Sequence, residues 1–545
     1  MIETSAARAR RQYLAAFLAV AAIALGLRLI FPAADPPWNP SVGVVWHDEG
    51  AWVHNARNKA LFGAWSLDAW NPMFIAPVFT ALEYGAFEVF GVGVRQARLV
   101  SELTGFASVL CLAWGVGRIG GRLAGLAAGA LLATNYVYVM YDRAATMEAS
   151  MVAFMVASWY CYVRAQESPR WAWLAGACAL LAFFTKASAA FFVAAIGLDA
   201  ALAWLNVTRN ETPAARRAGF VTLLSLAVCG VLALTVFVLP HWADYRFYNW
   251  QMSVTRKPSY DARSLFDRVT GFPILHDIFT RMWFTVVVGL TAALGMLARW
   301  RTASPPDRLL GLWVAAGAAE LMLHDVGNER RFLIFVPALA ALAALAMMRD
   351  RALLPEAVGA LPRTVALLSA PVVFYTLYVV TGPLVRLLHL YEVGSNVRPA
   401  AALAALATVA IYATWPAVPR WCARTPWTAR AGIMVVGLVS LGQIAQFVQW
   451  AAGRSYKNYE ASIELGRVLR PGTLVHGKLA NGLALENRIK PIFVGRGFGN
   501  YDDRKGRDDV RYILTYVSPS LGWESQRQNP VILEVLDAYP DHRTI

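Results

Sequence analysis

The 545-residue sequence predicts an α-helical polytopic membrane protein of about thirteen spans, with its N-terminus inside and its C-terminal segment outside. Three observations predict this. Hydrophobic residues make up 57% of the chain and charged ones only 16%, against about 45–50% and about 25% in water-soluble domains. Apolar runs approaching the roughly 20 residues needed to cross a hydrocarbon core recur along most of the chain. The 50 Lys+Arg, set against 35 Asp+Glu, gather in alternate connections between those runs, the pattern of loops retained in the cytoplasm. A cytosolic globular enzyme, a disordered chain and a fibrous one are excluded on composition. The net charge of +15 is explained by cytoplasmic loops, without nucleic acid.

The expected spans are 13–31, 99–116, 123–140, 149–163, 171–184, 187–205, 220–239, 282–297, 309–323, 332–348, 365–380, 400–415 and 433–450. Residues 74–90 are apolar but short and hold Pro77, Glu83 and Glu88. Counting them as a span would place every later Arg-rich loop outside, so they read as an interfacial or re-entrant helix. The first run has no small-residue cleavage site after it and is expected to stay as a helix. The five cysteines lie in spans or inner loops, which excludes an extracytoplasmic disulfide framework, and no Cys/His spacing suits zinc. Asn206 and Asn210 match the glycosylation pattern but fall on the inside.

The chain divides into a membrane domain, 1–452, and an extracytoplasmic α/β domain, 453–545. Two outer loops, 32–98 and 241–281, belong to the first; the second of them mixes aromatics with Arg246, Arg256, Lys257, Arg263 and Arg268, which suits helices lying on a membrane surface. In the tail, 456–469 has helical spacing, and 473–476, 491–494, 511–517 and 531–535 read as short strands. Gly495-x-Gly497-x-Gly499 lacks the spacing and following helix of a dinucleotide site and reads as a flexible loop.

Candidate chemistry begins at His47-Asp48-Glu49-Gly50. A helix is expected from Gly50 to Trp65, with Trp52, Val53, Ala56 and Ala60 on one face and Asn55, Arg57, Asn58 and Lys59 on the polar side. Asp48 and Glu49 then sit at a helix N-terminus, where the dipole favours anions. Other polar residues collect at the same depth, at the outer ends of other spans: Arg98, Glu102, Asp142, Arg143, Glu148, Lys186, Glu320, His324, Asp325, Glu329, Arg330 and Arg331. Together they predict a mixed acidic and basic cavity opening at the bilayer surface, suited to a lipid with an anionic head. Asp199, in the inner half of its span, has no partner visible in the sequence and reads as a structural hydrogen-bonding group.

These residues resemble the polyprenyl-phosphate-dependent membrane glycosyltransferases of the GT-C fold, which include the protein O-mannosyltransferases and the aminoarabinose transferases of lipid A. The resemblance rests on Asp48-Glu49 after span one, Asn71-Pro72 before an apolar helix, and Asp142-Arg143-Ala-Ala-Thr-Met-Glu148. Phe184-Thr185-Lys186 and Arg330-Arg331-Phe332…Pro337-Ala338-Leu339 extend it. It covers most of 48–348. The chain departs at Trp70-Asn71-Pro72-Met73, where the aminoarabinose transferases have Glu-Lys-Pro-Pro, and at Ala51-Trp52, where they carry Arg. It therefore carries over neither their metal nor their particular sugar.

The resemblance implies transfer of a sugar from a polyprenyl-phosphate donor to a lipid, glycan or protein acceptor. Asp48 becomes the base, with Glu49 orienting the acceptor or the neighbouring helix. Arg143, Lys186, Arg330 and Arg331 are expected on the donor phosphate, since Arg forks onto phosphate and Lys acts as a point charge. Asp142, Glu148, His324 and Asn71 are expected to line the pocket. Arginines suffice for a single phosphate leaving group, so a divalent metal is allowed but not required. The expected location is a bacterial inner membrane, with the site facing the periplasm or exterior. A transporter or lipid flippase is the alternative, and a scaffold whose Asp48-Glu49 only caps a helix is the third reading.

Overall fold

The computed structural model describes residues 5–37, 44, 46–66, 70–208, 211–255, 259–264, 281–324, 329–349, 370, 373–374, 377–378, 397–414, 429–492 and 511–514. It is a helical bundle. The first helix, α1, runs Ser5–Leu29, followed by α2 (His47–Trp52), α3 (His54–Phe62), α4 (Pro77–Phe90) and α5 (Val94–Gly120). Then come α6 (Arg122–Thr134), α7 (Tyr136–Asp142), α8 (Met147–Ala165), α9 (Arg170–Thr185), α10 (Ala190–Trp204), α11 (Pro213–Ala233) and α12 (Trp242–Thr255). Further along are α13 (Trp283–Ala298), α14 (Pro305–His324), α15 (Val336–Met348), α16 (Val397–Thr414), α17 (Ala429–Ala452) and α18 (Lys457–Val468). After α18 come β1 (Leu474–His476), α19 (Lys478–Gly482) and β2 (Lys490–Ile492).

Among the described residues six helices are long and apolar enough to cross a membrane, or seven counting the bent pair α6–α7. α9, α13 and the apolar stretch 401–410 are shorter. The expected run 365–380 lies almost wholly outside the described residues. The expected continuous span 123–140 is instead broken, with a bend of 62° between α6 and α7. The cause is Asn135, which leaves the helical region and accepts a hydrogen bond from the Tyr138 N–H at 2.9 Å, capping α7. Gln443 of α17 accepts from the freed Tyr136 N–H, so the break is satisfied rather than exposed. α5 and α6 approach so closely that a Cβ at Gly125 would lie 2.7 Å from the Gly117 Cα, the small-residue contact typical of helices packed in lipid.

Residues 77–90 form a helix of fourteen residues, as their length suggested. Its Phe79 and Phe87 pack with Trp52, Trp70, Val94, Met147 and Leu485 in a cluster separate from the main core. α12 leaves Trp242, Phe247 and Trp250 exposed and buries Tyr248, which stacks on Phe74 with ring centroids 5.5 Å apart. In the tail, the helix expected at 456–469 is α18, and β1 and β2 pair in parallel, Leu474 opposite Lys490. Ile513 bridges to His476. The Gly495–Gly499 loop, residues 531–535, Cys422 and Asp325 lie outside the described residues.

Candidate active site

Asp48 and Glu49 open the first turn of α2, as expected, but neither caps it through its side chain. Being adjacent on a helix, they point about 100° apart, and the structure gives them different partners. Asp48 Oδ2 accepts from Arg330 Nη1 at 2.7 Å. Arg330 Nε lies 3.3 Å from Glu148 Oε1, and the same oxygen accepts from Lys186 Nζ. One ion network thus runs Asp48–Arg330–Glu148–Lys186. Its members come from four places: α2, the short 3-10 helix Glu329–Phe335, the first turn of α8 and the junction after α9.

The burial is graded. Glu148 is fully enclosed, whereas the Asp48 side chain keeps 19% of its surface, so the network opens at the carboxylate. Lys186 sits between α9 and the next helix, outside both spans. Burial pushes its pKa down to about 8; Glu148 opposes that, and Arg330 and Arg331 add to the lowering. Arg331 therefore stands near enough to contribute positive charge. The three cations outnumber the two carboxylates by one, an arrangement that attracts a phosphate.

Glu49 turns inward. Both its oxygens accept from Arg98, at 2.7 and 2.8 Å, and Oε1 also takes the Ala145 N–H. Arg98 further donates to the carbonyls of Pro32 and Ala34. Glu49, expected to orient the acceptor or the neighbouring helix, joins α2 to α5 and to the turn before α8. Arg143 is likewise placed elsewhere: its guanidinium donates to the carbonyls of Leu27, Arg28 and Phe31 and stacks on Trp450. It closes the C-terminal end of α1, whose last carbonyls have no partner within the helix. Asp142 pairs with Arg28 at 2.6 Å and is buried. Its partner lies inside the first apolar run, where a charge is costly unless matched.

Asn71 is buried but outside the ion network. It accepts from Asn55 Nδ2 at 3.0 Å and donates to the Tyr248 hydroxyl at 2.6 Å, tying the first loop to α12. His324 ends α14, and its side chain is outside the described residues. Among the described residues no three His, Cys, Asp or Glu side chains come together to hold a metal ion. Asp199 does have a charged partner: Arg308 Nε, at 2.5 Å, with the Tyr162 hydroxyl donating to its other oxygen at 2.9 Å. That cluster lies roughly 20 Å from the Asp48 network, counting 1.5 Å per residue along α8 and α10.

Residues 75–239 match the family model of dolichyl-phosphate-mannose-protein mannosyltransferases, a stretch that includes Glu148 and Lys186 but not Asp48 or Arg330. No curated protein sequence matches the chain. Its fold is similar to that of ArnT from Cupriavidus metallidurans bound to undecaprenyl phosphate. That match has a TM-score of 0.53 at 17% identity and covers 93% of this chain and 90% of that one. The apo oligosaccharyltransferase of Archaeoglobus fulgidus gives 0.43 at 14% identity over 88% and 64%. The arabinosyltransferase EmbB of Mycobacterium smegmatis gives 0.45 at 18% over 79% and 41%. The matches show two things: residues 75–239 fit the mannosyltransferase family model, and the chain as a whole shares the fold of ArnT.

Proposed function

We propose that the protein moves a sugar from a polyprenyl-phosphate donor to an acceptor on the outer face of the membrane, with Asp48 as general base. The observation that supports this best is the ion network. It gathers a partly open carboxylate and a surplus of cations at one end of a lipid-embedded bundle. Transfer from a lipid phosphate passes through an oxocarbenium-like state, by analogy with glycoside hydrolysis. Departing phosphate needs fixed positive charge in a water-poor place, which Lys186, Arg330 and Arg331 supply. Arg330 holds Asp48 before substrate arrives. A donor phosphate that draws this guanidinium away leaves Asp48 a stronger base, ready for the acceptor's hydroxyl proton.

Arg143 and Asp142 then serve the scaffold, and Asn71 fixes the first loop against α12. The deciding experiment incubates the membrane-embedded chain with a panel of radiolabelled polyprenyl-phosphate sugars and follows the label. Movement of label into a lipid, glycan or protein supports the reading. Label that stays on every carrier while substrate accumulates inside vesicles would make the protein a transporter.

Lys186 gives a pH prediction. In the free enzyme it loses its proton as pH rises through about 8, and only the protonated form meets the phosphate. The ratio kcat/KM, which reports the free enzyme, should therefore fall above that pH. Bound phosphate holds the proton on, so kcat should persist to higher pH. Lys186→Arg should abolish the alkaline fall; its persistence in that variant would assign it to another group.

A further inference from the structure

One side of α2 and α3 meets the tail. Gly50, His54 and Arg57 follow one another at helical spacing, and each touches residues 481–489. A Cβ at Gly50 would lie 1.8 Å from the Asn481 carbonyl oxygen, and one at Gly482 would lie 2.7 Å from the Trp46 ring and 2.8 Å from the His47 Cβ. Two backbones meet there, and only a pair of glycines permits it. Asn481 Nδ2 sits 3.1 Å from His54 Nδ1. Arg57, 1% exposed, donates to the carbonyls of Ala484, Asn487 and Ile489 at 3.0, 2.9 and 3.0 Å. Burial lowers its pKa to about 9, and it remains charged at neutral pH.

A helix of six residues has no stability of its own, and α2 has no side-chain cap. Its direction is set by what packs around it: the Glu49–Arg98 pair on one side, the Trp70 indole donating to the Ala51 carbonyl at 2.8 Å, and α19 behind Gly50. Asp48 lies two residues before Gly50.

We infer that residues 478–489 are a positioning element of the active site, fixing the α2 backbone, and so the Asp48 carboxylate, through the Gly50–Gly482 contact and the Arg57 bonds. The inference rests on the proposed transferase reading. It makes the start of the tail part of the catalytic platform. Displacing the element lowers turnover for every hydroxyl acceptor and leaves donor capture alone, because Lys186, Arg330 and Arg331 stand on other elements.

The test uses the full chain in membranes. Gly482→Ala is expected to lower kcat about 100-fold, the cost of a misplacement of about 1 Å, with donor KM and the alkaline limb of kcat/KM unchanged. Arg57→Gln should behave similarly, and Arg57→Lys should recover part of the loss by keeping the charge without the fork. Arg57→Lys decides the matter if Gly482→Ala does not accumulate. A second readout is independent of turnover: the rate at which a membrane-impermeant maleimide labels Asp48→Cys, compared with and without Gly482→Ala. A changed rate supports the inference. Unchanged kcat with unchanged labelling overturns it, as does an equal loss of kcat and donor affinity. If labelling responds while the wild-type chain transfers no sugar from any donor, the transferase reading falls and the positioning contact stands.

Discussion

Asp48→Asn should reduce turnover on a hydroxyl acceptor by about 10²–10⁴-fold, the usual worth of a positioned base, with donor KM little changed. Asparagine keeps the shape of the side chain and an oxygen for Arg330, now 2.7 Å from Asp48, so the fold has no reason to suffer. Steady-state transfer from a labelled donor is the measurement. It also sorts acceptor chemistry. A phosphate acceptor is already anionic and needs no strong base, so with such a substrate the same variant should be only mildly impaired. Full activity on a hydroxyl acceptor would remove Asp48 from the mechanism.

The second large effect is on stability. Glu148 is fully enclosed, accepts from Lys186 and is ion-paired with Arg330 at 3.3 Å. Glu148→Gln keeps the volume but leaves the cations facing one another in a dry place. Breaking a buried pair in this way costs about 3–5 kcal/mol, which should appear as a lower thermal midpoint in detergent. Added polyprenyl phosphate should then raise the midpoint of the variant more than that of the wild type, since a ligand stabilises in proportion to its affinity. Equal shifts would mean that the phosphate lies elsewhere.

Much of this centre can be read from residue types alone. Asp48, Glu148, Lys186 and Arg330 stand out because charges at the edges of apolar runs must be matched or kept wet, and all four meet. What cannot be read is which charge meets which. Glu49 and Arg143 have the same composition signal as their neighbours, yet each is drawn into the scaffold by groups distant in sequence, Arg98 and the end of α1. Asp199 looked alone because Arg308 lies 109 positions away, and Asp142, expected to line the pocket, pairs with Arg28 from 114 positions back. The single helix expected at 50–65 is two short ones, α2 and α3, which meet at Val53 and end at Phe62. Their polar residues Asn55, Arg57 and Asn58 are buried, since the tail, Trp65 and Met73 supply partners that periodicity alone does not show. The break at Asn135 was legible only as one polar residue in an apolar run.

The contacts of His54 and Arg57 with the tail join residues 427 to 432 positions apart. At synthesis rates of about 5–20 residues per second, roughly 20–90 s pass between the emergence of the two partners from the ribosome. During that interval the nascent chain has α2 unsupported from behind. A chain ending before the tail would hold Asp48, Lys186, Arg330 and Arg331 but lack the backbone contact that Gly50 makes with Asn481 and Gly482.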